Sequence, residues 1–127
     1  MKRAAVVPML LSVIVAGCGS ANAFNYDAND DVHCLAIYSF AVGQAMEQQT
    51  TARQLGSANL MAEWYGPKAR QGVADLRKEE QDKQVGLIFE ALRHDPAASV
   101  ETSKACFERA ASDPAFVAFA KARGFGN

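Results

Sequence analysis

The side chains best suited to chemistry in this chain are few: Cys18, Cys34 and Cys106, with His33 and His94. Neither Cys34 nor Cys106 belongs to a C-x-x-C pair, the spacing with which redox proteins activate and resolve a thiol. His33 directly precedes Cys34, but adjacent residues of a helix point about 100° apart, so the two are not arranged as base and nucleophile. His94 stands outside any H-E-x-x-H pattern, and G-x-S-x-G, S-x-x-K, Walker and haem-attachment motifs do not occur. The expectation is therefore no catalytic residue, no metal ligand and no cofactor. An enzyme would need scattered carboxylates such as Glu47, Glu63, Asp75 and Glu90 to converge in space. The other candidate set is apolar: Tyr38, Met46, Met61, Trp64 and Tyr65 carry the contact area that a binding surface uses, or else they form core.

What positions these residues depends first on how the chain matures. Residues 1–23 hold 15 apolar residues and no acid, with Lys2 and Arg3 directly after the start. A basic start, an apolar run over 4–16 and a terminal Ala21-Asn22-Ala23 are the three parts of an export signal cleaved after Ala23. The run is too short to cross about 30 Å of hydrocarbon, and no longer one follows, so no transmembrane helix is expected in the mature chain. Val15-Ala16-Gly17-Cys18 also resembles the lipobox of bacterial lipoproteins. That resemblance implies a signal over 1–17 and a mature chain beginning at a lipidated Cys18, hence a lipid anchor. Both routes leave Cys34 and Cys106 as an even pair in an oxidising compartment, which predicts one disulfide.

The whole chain has 127 residues, half of them hydrophobic, with 13 basic and 14 acidic residues. Without the signal the balance is 11 against 14, a mildly acidic chain with no reason to bind nucleic acid. Downstream of the signal, 19 of 104 residues are alanine and only 11 are Val, Ile or Thr. No alternating apolar pattern interrupts this composition, so an all-α domain over 32–127 is expected: a small bundle of four to five helices after an extended lead-in over 24–31.

Local signals divide that bundle. Asp30 and Asp31 can cap a helix over 32–49 whose apolar residues cover nearly the whole circumference, the mark of a central helix. A second helix over 51–65 is expected to stop at Gly66-Pro67, because proline disfavours helical backbone before it and lacks a donor. A long helix over 68–94 follows, with Val85, Ile88, Phe89 and Leu92 on one stripe and a solvated charged run over 77–84 in which Glu79 and Lys83 pair. That run is also where a break into two shorter helices could lie. Asp95-Pro96 and Asp113-Pro114 start two further helices, over 96–111 and 114–123, and Gly124 suits a left-handed C-terminal cap.

The functional expectation is a non-enzymatic exported helical protein of the bacterial cell envelope that binds an envelope protein or a small apolar ligand. It would be periplasmic or secreted, or anchored to a membrane through Cys18. Alternatives are a small enzyme with an unrecognised site and a periplasmic stress or chaperone-like protein. In layout alone, a small exported helical chain with one long-range disulfide is similar to the acid-activated periplasmic chaperones. Intact mass spectrometry of the exported protein checks the export reading: it should begin at Phe24 or at diacylglyceryl-Cys18, with two hydrogens fewer than the dithiol form. A full-length reduced chain in the envelope would contradict both routes.

Overall fold

The computed structural model describes residues 24–126. The expected export segment, its two candidate cleavage sites and Cys18 lie outside the described residues. Among those described there are five α-helices, a short 3₁₀ segment and no strand. The helices are α1 (Asp31–Glu47), α2 (Ala52–Gly72), α3 (Lys78–His94), α4 (Val100–Ala111) and α5 (Pro114–Ala122). The protein is an all-α bundle, as its composition requires.

The lead-in turns at Asp27, whose carboxylate accepts from the Asn29 amide at 2.9 Å. Asp30 then caps α1, accepting from the Val32 amide at 2.9 Å. This satisfies one of the donors a helix start leaves free. The first half of α1 buries Val32, Cys34, Ala36 and Ile37. Beyond Gly43 the helix emerges, and Met46 is 65% exposed. α1 packs along α2 and also touches α3 and α4, so it is the central helix. Its residues serve two clusters of core: Cys34 joins Leu60, Met61, Tyr65, Cys106 and Phe116, while Val32 and Ile37 join Ala69, Ile88 and Leu92.

Three expected boundaries are corrected. α2, capped by Thr51 through the Gln54 amide, does not stop at Gly66-Pro67 but runs on to Gly72. Pro67 is exposed, and so is Glu63, whose carbonyl the missing N–H would have met. The cost of the lost bond is outweighed because continuing the helix keeps Ala69 in line with buried Met61 and Tyr65 at i, i+4 spacing. Residues 68–72 therefore belong to α2 rather than to a helix over 68–94. The break falls at 73–77, ahead of the charged run instead of within it. There Gln81 of α3 reaches back and donates to the carbonyls of Val73 and Leu76, both at 2.9 Å, closing the corner. The charged run forms the exposed opening turns of α3. Its ion pair is Lys78 with Asp82 at 3.2 Å, not Glu79 with Lys83.

The third correction is Asp95-Pro96. Asp95 makes no side-chain cap bond, and Pro96–Ser99 is wound as 3₁₀ before α4 begins at Val100. Buried Ser99 donates instead to the Pro96 carbonyl at 2.8 Å, so the tight turn closes on itself. Asp113 does cap α5, accepting from Ala115 at 2.9 Å. Gly124, at φ +86°, ends it in the left-handed region.

The bundle is cross-linked by a disulfide between Cys34 in α1 and Cys106 in α4, with Cα atoms 5.8 Å apart and neither residue exposed. Two substitutions test this description. Replacing both cysteines by serine should lower the unfolding free energy by roughly 4 kcal/mol, from loop closure over some 70 residues. Pro67→Ala should raise it by about 2 kcal/mol, since it restores a bond inside α2 at an exposed site. Urea denaturation measures both, and a Pro67→Ala variant that loses stability would refute the continuous α2.

Candidate apolar binding groove

The five apolar candidates part company in the fold. Tyr65 is fully buried; its hydroxyl donates to the Cys106 carbonyl at 2.6 Å, and Arg109 stands 5.1 Å above its ring. Trp64 is half-buried, edge-on to Phe116 and Phe119 at 5.3 Å each, with Lys68 Nζ 4.4 Å above it. Met46 projects from the open end of α1. Only Tyr38 and Met61 share a concavity, a groove of about 430 Å³.

Four helices and the tail build this groove. α1 supplies Tyr38, α2 supplies Ser57, Leu60 and Met61, α4 supplies Phe107, α5 supplies Phe116 and Ala120, and the segment after α5 supplies Phe125 and Gly126. Phe116 is 5% exposed and forms the floor, whereas Phe107, 49% exposed, stands as a rim. Their rings lie 6.5 Å apart at 86°, an edge-to-face pair. Tyr38 holds α1 to α4: its hydroxyl donates to the Ser103 carbonyl at 2.8 Å and accepts from the Ser103 hydroxyl at 3.4 Å.

Because the Tyr38 hydroxyl is spent on Ser103, it presents a ring rather than a polar handle to the groove. Burial raises its pKa, with the Ser103 hydrogen bond opposing. Ser57 adds the one other hydroxyl, and no histidine, cysteine or carboxylate lines the walls. Such a lining offers contact area and shape to an apolar ligand, in a volume within the range of small-molecule sites. Of its residues only Tyr38 and Met61 belong to the apolar candidates that residue type marks. Phe107, Phe116 and Phe125 come from three segments, and no spacing rule links them.

The other reactive groups are spent elsewhere. His33 accepts the Asp27 amide on Nδ1 at 2.9 Å and so fastens the lead-in to α1. His94 is exposed at the end of α3. Glu63 pairs with Arg123 at 2.9 Å and Glu90 with Arg93 at 3.2 Å. Among the described residues no group of three His, Cys, Asp or Glu side chains is placed to hold a metal ion. Three further hollows exist. One, of about 480 Å³, lies between the lead-in and the α2–α3 corner and is walled by Asp27, Asp30, Asp31 and Asp75. Another, of about 360 Å³, has Arg70, Gln81 and Asp82 in its walls. A third, of about 320 Å³, is bordered by Gln44, Ser99, Ser103 and Lys104. All three mix charge or amide groups with apolar residues such as Val32, Val85 and Phe40, which leaves the groove at Tyr38 as the most apolar of the four.

Tyr65 behind the groove makes a pH-dependent contribution. Burial pushes its phenol up to about 12, partly countered by Arg109 and reinforced by Asp31. A phenol raised in the folded state stabilises the fold fully below the unfolded value near pH 10. That contribution is lost as pH rises toward 12, at about 1.4 kcal/mol per pH unit. Urea unfolding across this range should show the decline in the native chain and a shallower one in Tyr65→Phe; identical slopes would refute the assignment.

No protein-family model, no curated protein and no solved structure matches this chain, so its own groove chemistry is what bears on function.

Proposed function

We propose that the mature chain is a non-enzymatic helical binding protein of the bacterial cell envelope that takes a small apolar ligand in the groove between Tyr38 and Phe125. The observation that carries this reading is the groove itself: four aromatic rings, Tyr38, Phe107, Phe116 and Phe125, converge with Leu60 and Met61 around about 430 Å³. Burying apolar ligand surface there yields roughly 25 cal/mol per Å² before the costs of association. A concave site of this volume suits a small molecule better than a flat protein surface, which is why the ligand reading is preferred to an envelope protein partner.

Export supports the setting of this function. A disulfide persists in oxidising compartments, and the candidate signal over 1–23 provides the route. No helix among the described residues is long and apolar enough to cross a membrane. A lipid anchor at Cys18 would hold the same domain at the membrane without changing the groove.

Fluorescence titration of the oxidised 24–127 chain with 1-anilinonaphthalene-8-sulfonate tests the site. Saturable, blue-shifted binding is expected. Ser57→Trp, which fills the groove from its exposed wall, should weaken binding at least about tenfold, or 1.4 kcal/mol, without lowering Tm. Met46→Ala and Leu87→Ala, which trim exposed apolar residues elsewhere, should leave affinity within about twofold. Binding indifferent to Ser57→Trp overturns the proposal, as does absence of binding in both the native chain and Phe125→Ala.

A further inference from the structure

One wall of the groove is a tail residue rather than a helix face. Phe125 lies between Gly124 at φ +86° and Gly126 at φ +84°, both in the left-handed region that glycine enters at little cost. Its amide donates to the Ala120 carbonyl at 2.9 Å, and that of Gly124 to Lys121 at 3.0 Å. These are the paired bonds of a Schellman end, which normally brings the residue after the glycine onto the last turn of the same helix.

Here the ring goes further. Phe125 crosses to α2, where a β-carbon built on Gly56 would come 3.4 Å from its Cζ. Half-buried, it packs on the core cluster that includes Leu60, Met61, Phe116 and Ala120, the same residues that line the groove. A β-carbon at Gly56 would just touch the ring, and a branched side chain there would press on it. The ring has no polar group to tie it down, and its segment is held to α5 by those two backbone bonds. A benzyl group on a glycine-flanked segment thus lies against the surface that an apolar ligand would need.

We propose that Phe125 is an internal occupant of the groove and that ligand binding displaces it. This regulation rests on the reading of the groove as a binding site. The ring shields the floor from water when no ligand is present, and an entering ligand must supply more apolar contact than one benzyl group. The site therefore selects ligands with an aromatic ring or an alkyl chain larger than that group.

The sign of the Phe125→Ala effect separates an occupant from a fixed wall. Removal of a competitor tightens 1-anilinonaphthalene-8-sulfonate binding, whereas removal of a wall weakens it. Phe125→Ala alone also enlarges the groove, so Gly56→Val is the second variant: it crowds the ring out while keeping every lining side chain. Both should tighten binding about fivefold or more. In the native chain, saturating probe should speed hydrogen exchange at the Phe125 amide, because displacement breaks its bond to Ala120. Binding seen only in the two variants supports the proposal as complete self-blocking. Weaker or unchanged affinity in both variants, or an amide that the probe protects, makes Phe125 a wall; the proposal then falls while the binding function stands. No binding in the native chain or either variant removes both.

Discussion

The cross-link between Cys34 and Cys106 is the constraint on which the other contacts lean. It spans 72 positions of sequence and joins the first turn of α1 to the middle of α4. For a domain whose net stability is of order 5–15 kcal/mol, loop closure worth roughly 4 kcal/mol is a large share. The bond is also the centre of a polar clasp. Arg109, one turn from Cys106, donates to the Ala28 carbonyl at 2.8 Å and to Asp31 at 2.9 Å, while Tyr65 of α2 donates to the Cys106 carbonyl. Three helices and the lead-in meet around one buried sulfur pair, and each polar group drawn into that region has a partner, as a buried polar group requires.

The groove is a consequence of that clasp. With α4 pinned at Cys106, Ser103 and Phe107 are presented on either side, where Tyr38 of α1 meets Ser103 and Phe116 of α5 meets Phe107. α5 is only nine residues long and too short to hold its place by helix formation alone. It is positioned by Asp113 at its start and by Phe116 and Ala120 against the core. The concavity persists because these contacts hold α5 and leave a gap beside α1, α2 and α4. A groove made in this way sits beside the cross-linked clasp, so a ligand there would meet walls held by the fold except at the glycine-flanked tail.

Local signals decide the structure where their effect is confined to a few residues. Asp30 and Asp113 start helices because a carboxylate two positions before an amide needs nothing else to bond it. Asp95 shows the same dipeptide without the bond, since buried Ser99 favours a 3₁₀ turn there. Pro67 shows the limit more sharply. A proline's local preference against helix is a few kcal/mol, and α2 overrides it because stopping there would take Ala69 out of the core. The corner at 73–77 depends on Gln81, a side chain in a run that by composition is merely solvated.

Composition and periodicity by themselves determined that the chain is helical and where most helices begin, and they marked Cys34 and Cys106 as a pair. Helix propensity, capping and redox environment act within a turn or through bulk setting, so they are visible along the chain. Tertiary structure alone decided that α2 continues, that Tyr65 and Met61 face inward while Met46 does not, and that Tyr38 and three phenylalanines share a groove. The physical reason is sequence distance: Tyr38 bonds Ser103 across 65 positions and Arg109 bonds Ala28 across 81. Those pairings follow from how whole helix faces exclude water together, a sum over many residues that no short pattern carries.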